Sequence, residues 1–146
     1  MRAIAVFQGD LKGSVVEFVQ GVPGGYVTVK GSLTGLPPGK HGFHIHEYGD
    51  LSGKGCKAAG GHYNPKGKPH GGLRDPESHA GDLGNVTNGS VHFKTKKFSL
   101  GSVIGRSLII HEGEDDLGRG GHSDSLTTGH AGKRLDCAVI GTRAFN

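Results

Sequence analysis

The sequence predicts an all-β domain, and three observations predict it. Short β-prone runs recur along the 146 residues, turn chemistry separates many of them, and no segment of ten or more residues carries a helical period. In order, the runs are residues 2–8, 14–19, 25–33 and 41–46, then 82–87, 90–93, 107–111 and 137–142. Gly9-Asp10 parts the first from the second, Pro23-Gly24-Gly25 the second from the third, and Pro37-Pro38-Gly39 the third from the fourth. Asn88-Gly89 sits between the fifth and sixth. Each is a sequence that favours a tight turn. The spacing of the early runs points to a sandwich or barrel. Residues 47–81 and 112–136 break the rhythm, and stretches that long inside a compact domain are usually functional.

The length fits one domain over residues 1–146, with no internal repeat and no boundary. Its 29 glycines punctuate apolar runs instead of forming a low-complexity block, which indicates ordered loops. No apolar stretch reaches bilayer length, so no membrane span is expected. The N-terminal residues lack a secretory pattern, and a cytoplasmic location is the expectation. The formal charge is +4, with the densest basic cluster at Lys94, Lys96 and Lys97. No basic face interleaved with aromatics accompanies it, so the cluster reads as solvated surface and nucleic acid is not an expected partner. Cys56 and Cys137 allow one bridge, with a chain-entropy gain of about 4 kcal/mol, although stable bridges are unusual in the cytosol.

Ten histidines are the compositional anomaly. His44 and His46 flank Ile45, and in a strand such positions share a face. Alone they would serve equally well as surface histidines. The long loop adds His62, His70, His79 and Asp82, set among glycines and prolines. Three imidazoles and a carboxylate suit a closed tetrahedral zinc site, and a loop poor in apolar residues needs something to order it. His111 ends the run Leu108-Ile109-Ile110 and could add a nitrogen from another strand. These are seven residues for the eight positions of two four-coordinate metals, a count that closes if one histidine bridges. Nitrogen-rich sites suit copper.

At this point the chain resembles a known family. The segments Gly42-Phe43-His44-Ile45-His46-Glu47-Tyr48-Gly49-Asp50, Gly61-His62-Tyr63-Asn64-Pro65, His70-Gly71-Gly72 and His79-Ala80-Gly81-Asp82-Leu83-Gly84-Asn85 are similar to those of copper/zinc superoxide dismutases. The similarity resumes at Gly105-Arg106-Ser107-Leu108-Ile109-Ile110-His111-Glu112 and continues through 115–121, 132–137 and 139–141. The resemblance implies an eight-stranded Greek-key β-barrel, usually a homodimer, loaded by a copper chaperone. It implies one copper per chain on His44, His46, His62 and His111, and one zinc on His62, His70, His79 and Asp82. His62 is then the bridge. Asp115 would link His44 to His70, Cys56 and Cys137 would form a disulfide, and Arg134 would attract superoxide. The implied reaction turns two superoxide anions and two protons into dioxygen and hydrogen peroxide.

Some positions depart from the family. The segment between Asp82 and His111 is short, with its hairpin trimmed to Thr87-Asn88-Gly89-Ser90, which bears on the edge strands. The loop before Cys56 is about one residue long relative to the family, which bears on the dimer. Where two adjacent acids and a lysine are expected, Ser123, Asp124 and Thr127 stand, and Lys133 adds a charge beside Arg134. His41 matches a buried structural histidine, while His92, His122 and His130 have no ligand counterparts and read as surface groups.

Overall fold

A computed structural model describes residues 1–145. Its eight strands are β1 (Arg2–Val6), β2 (Val15–Gln20), β3 (Val27–Ser32), β4 (Lys40–His46), β5 (Asp82–Thr87), β6 (Ser90–Thr95), β7 (Ser107–His111) and β8 (Arg134–Arg143). The pairing order β1-β2-β3-β6-β5-β4-β7-β8 closes through an antiparallel β8–β1 seam into a barrel. Among the described residues, helix is confined to a 3-10 turn at Lys57–Ala59 and one α-turn at Leu100–Val103.

Alternation along the strands builds the core. Ala3 and Ala5 of β1, Val16 and Phe18 of β2, Val27 and Val29 of β3, and Phe43 and Ile45 of β4 are fully buried together. Leu108 and Ile110 of β7 and Ala138 and Ile140 of β8 complete the interior. Each large side chain buried in this way stabilises the fold by roughly 1.5–3 kcal/mol. The trimmed hairpin does not leave the sheet open. Asn88 and Gly89 take φ of 60° and 72°, as a two-residue type I′ turn requires. The β5–β6 pairing is limited to Thr87↔Ser90, yet β6 is zipped along β3 and β5 along β4. Between β5 and β6 the barrel closes at that one pair.

β4 and β7 are buried on both faces. Phe43 and Ile45 enter the core, so His44 and His46 project from the outer face. The long segment 47–81 covers that face and is stitched to it: Tyr63 N–H donates to Ile45 O at 2.8 Å, and Ile45 N–H donates to Gly81 O at 2.9 Å. The Cys56–Cys137 disulfide fastens the same segment to β8 across 81 positions, a constraint worth about 4.5 kcal/mol in the chain-entropy model.

Candidate metal centre

The register of β4 against β7 sets the first half of the site. His44 lies opposite Ile109 and His46 opposite Ser107, so His111, two residues past Ile109, emerges on the same outer face. Gly42, on that face too, must lack a side chain: a Cβ there would lie 2.8 Å from Ala131 Cβ and 3.1 Å from the His44 ring. His62 arrives from the covering loop, held by an isolated β-bridge to His46. His44 and His62 stack with ring centroids 4.0 Å apart.

Four nitrogens are left over at this place. His44 Nδ1, His46 Nε2, His62 Nε2 and His111 Nε2 are buried and have no hydrogen-bond partner. The four residues offer ligand atoms all within 4.8 Å of one another. Their other ring nitrogens fix the tautomers for three of them. His44 Nε2–H donates to Asp115 Oδ2 at 2.6 Å, His46 Nδ1–H to Gly60 O at 2.8 Å, and His111 Nδ1–H to Gly132 O at 3.1 Å. Each orphan nitrogen therefore presents a lone pair to a shared centre. Burying unpaired polar atoms costs free energy unless something binds them. Burial also holds these imidazoles neutral. It lowers His44 and His46 well below the ordinary value, lowers His62, and pushes His111 down to about 4, with neighbouring histidines adding to the effect. A set of four converging neutral imidazoles fits copper.

A second set meets at Asp82, at the start of β5. Its Oδ1 lies 2.9 Å from His62 Nδ1, 2.9 Å from His70 Nδ1 and 3.2 Å from His79 Nδ1. His62 Nδ1 and His79 Nδ1 are 3.2 Å apart. A tetrahedral zinc with bonds of about 2.0–2.1 Å has ligands roughly 3.3 Å from each other, and these four donor–donor distances suit that ion. Asp82 Oδ2 is taken by the backbone N–H groups of Gly71 at 3.1 Å and His79 at 2.8 Å, which leaves Oδ1 for the centre. Burial works to raise the Asp82 carboxyl, but the three histidines override it and hold the group far below the carboxylate range. Burial likewise opposes a charge on His70, yet Asp115 and Asp82 raise it to about 9. His44 also lies within 4.8 Å of His62, His70 and Asp82, but its Nε2 is committed to Asp115 and its Nδ1 belongs to the other set.

Asp115 joins the halves. While Oδ2 holds His44, Oδ1 accepts His70 Nε2–H at 2.7 Å. Its backbone is clamped by Asn85: Asp115 N–H donates to Asn85 Oδ1 at 2.7 Å, and Asn85 Nδ2 donates to Asp115 O at 2.9 Å. Asn85 and the carbonyls of Gly60 and Gly132 are parts of the site that the sequence reading did not single out. Carbonyl acceptors have no side-chain signature. Asn85 did leave one, two residues before the end of β5 and inside a segment shared with the family.

Arg134, at the start of β8, donates from Nη1 to Cys56 O and from Nη2 to Gly60 O, both at 2.6 Å. Gly60 O is also the acceptor for His46, so one carbonyl separates the guanidinium from the nitrogen set. The disulfide holds the Cys56 carbonyl in place for it. His41 is buried in a structural role, with Nδ1 against His111 O at 2.9 Å and Nε2 against Pro37 O at 2.8 Å. His92, His122 and His130 lie on the surface, away from both sets.

Comparison with known proteins agrees with this geometry. The family model for copper/zinc superoxide dismutase (SODC) matches residues 12–140. Superoxide dismutase (Cu-Zn) A of Xenopus laevis is 49% identical over 150 residues, which cover 97% of this chain and 97% of that protein. The extracellular superoxide dismutase (Cu-Zn) of Onchocerca volvulus is 48% identical over 157 residues, 99% of this chain and 78% of that protein. The copper chaperone for superoxide dismutase of Rattus norvegicus is 46% identical over 149 residues, 97% of this chain but 53% of that protein, so this chain spans about half its length. The chain belongs to the copper/zinc superoxide dismutase family.

Proposed function

We propose that the chain dismutates superoxide at a dinuclear centre in which His44, His46, His62 and His111 hold copper and His62, His70, His79 and Asp82 hold zinc. One observation carries the reading: His62 turns Nε2 to the four-nitrogen set and Nδ1 to the Asp82 set, so a single imidazole belongs to both. Bound copper supplies the one-electron couple that accepts an electron from one superoxide and returns it to another, whereas zinc has no redox chemistry. The chain's own residues do the rest. The tautomer bonds to Asp115, Gly60 and Gly132 fix the lone pairs, so no reorganisation is needed when the metals arrive. His62 Nε2, with Nδ1 engaged on the other side, is the nitrogen that holds and releases a proton for the peroxide product. Arg134 keeps its charge at any working pH and, with one donor of each Nη on the Cys56 and Gly60 carbonyls, has donors left for a small anion. Superoxide dismutases are a standing example of enzymes limited by charge-steered arrival of substrate.

A complete nitrogen set supports turnover over the metal-carrier role named for the chaperone relative. The test is superoxide removal by protein loaded with copper and zinc, beside protein loaded with zinc alone. Activity confined to the first supports the reading, and none in either refutes it. A homodimer is part of the proposal. Tyr48, Leu51 and Val139 are exposed at 55%, 37% and 41%, and the chain at Gly49, next to Tyr48, lies beside Val139. That apolar patch suits a second copy of the chain, and the longer loop before Cys56 borders it. The similarity to a copper chaperone supports delivery of copper by a protein carrying a domain of this kind.

Asp115 is the positioning residue with the clearest test. Asp115→Asn keeps the shape but leaves one carboxamide oxygen for two imidazole N–H donors. One of His44 and His70 then loses its acceptor. Affinity for the corresponding metal should fall on the order of 10–100-fold, read by competition with a chelator, while the barrel stays folded.

A further inference from the structure

We infer that a lysine-lined cleft on the flank of the barrel binds a small tetrahedral oxyanion, a phosphate or sulfate group, at a place separate from the metal centre. The cleft has a volume of about 230 Å³ and lies between the loop 65–80 and the chain just after β6. Lys66 and Lys68 come from the loop, and Lys96 and Lys97 from the other side. Four lysines thus line one concavity from two segments distant in sequence. The basic run that reads as solvated surface in the sequence is only partly so, because Lys97 is half-buried under the loop.

Among the described residues no carboxylate pairs directly with these lysines, although Asp82, Asp75 and Asp115 act on Lys97 from a distance. Asp75 is the one acid lining the cleft, and it is already engaged. Its Oδ2 accepts Gly72 N–H at 2.7 Å, and Arg119 pairs with its Oδ1 at 2.8 Å. Among the described residues none of the four lysines forms an ion pair with a carboxylate. Two are held by carbonyls: Lys68 Nζ donates to Pro76 O at 3.1 Å, and Lys97 Nζ to Asp82 O at 2.7 Å. An ammonium has three donors, so both keep donors to spare. Lys96 is steered from behind, its Nζ lying 4.8 Å from the Tyr26 ring centroid, with Lys94 on the same ring at 5.0 Å. Like charges gathered this way repel one another, and a multivalent anion between them reverses the sign of the interaction. The volume of the cleft suits a single tetrahedral oxyanion with some water, more than a polymer lying along a strip. Anchored to Pro76 and Asp82 carbonyls, the lysines would let a bound anion brace the loop 65–80 against the barrel.

The test uses the copper- and zinc-loaded protein and inorganic phosphate, with sulfate as a parallel arm. Ionic strength is held constant with chloride, because screening alone would weaken any such contact. Calorimetry should give saturable binding of one anion per chain. Lys66→Gln combined with Lys96→Gln should weaken it at least about tenfold, as loss of two charged contacts implies. The same charge change at Lys12 and Lys40, which do not line the cleft, should leave it within about twofold. Preference for one arm identifies the ligand as phosphate or sulfate. Binding that survives the Lys66/Lys96 pair but disappears with Arg134→Gln would assign the anion to the metal centre and overturn the proposal. So would phosphate behaving no differently from chloride. Binding only of a sulfated oligosaccharide, weakened as much by Lys94→Gln as by the pair, would show an extended surface strip and not a cleft.

Discussion

His62→Ala is expected to abolish superoxide removal and to loosen both metals at once. Among the described residues, His62 is the one that turns a ring nitrogen to each donor set, since His44 Nε2 is taken by Asp115. Its Nε2 is one of four buried nitrogens without a hydrogen-bond partner, and its Nδ1 lies 2.9 Å from Asp82 Oδ1. Alanine leaves three nitrogens in one set, and two imidazoles with a carboxylate in the other. The loss of affinity for zinc should exceed the roughly 10–100-fold seen when only an outer hydrogen bond to a ligand is removed. His111→Ala is the control. Its Nδ1 is bonded to Gly132 O and it takes no part in the Asp82 set, so copper retention should fall while most zinc is kept. Metal content after dialysis against a chelator reads both. Equal retention of the two metals by the two variants would contradict the assignment of His62 as the shared ligand.

Arg134→Glu should cut the rate on the order of 10–100-fold at low salt, within the range by which charge steering alters arrival rates. Arg134 lies one carbonyl from His46, and its charge helps to hold His46 and His111 deprotonated, so reversing it changes the field at the centre itself. Arg134→Lys keeps the charge but loses the fork that grips Cys56 O and Gly60 O, and should be milder. Lys133 is exposed, so Lys133→Glu should act mainly on the dependence of rate on salt. Wild-type activity should fall as ionic strength rises, since the Debye length is about 10 Å at 0.1 M. A salt series on all four proteins, with copper content verified in each, measures these effects. Equal low-salt rates for wild type and Arg134→Glu would remove the role given to Arg134.

The candidate ligands stood out in the sequence because their chemistry resides in side-chain identity. His44 and His46 two apart in a β-run, and the His62, His70, His79 and Asp82 spacing, stand out even before any family is considered. The strands were legible for a related reason: Asn88-Gly89 and the proline-glycine turns announce where each run stops, and only the ends moved, most at β8, which begins at Arg134 instead of Cys137. What could not be read is what depends on approach in space. The carbonyls of Gly60 and Gly132 look like any others until His46 and His111 reach them. Gly129 gives no hint that a Cβ there would overlap Asp115 and His70. Lys97 joins a basic run in sequence, yet the loop folds over it. His122 and His130, rightly read as surface groups, stack at 3.7 Å between ring centroids, and His130 Nδ1 bonds Asp124 at 2.6 Å. That pair ties up an acid standing where the family's charge pattern differs, which sequence order could not reveal.

The shared histidine is tested most directly by diffraction from crystals of the copper- and zinc-loaded protein, with anomalous data collected at the absorption edge of each metal. The account predicts two separate peaks on opposite sides of the His62 ring. The copper peak should bond Nε2 of His46, His62 and His111 and Nδ1 of His44. The zinc peak should bond Nδ1 of His62, His70 and His79 and Oδ1 of Asp82, with zinc–nitrogen bonds of about 2.0–2.1 Å. A single peak, or two peaks with His62 bound through only one nitrogen, would contradict it.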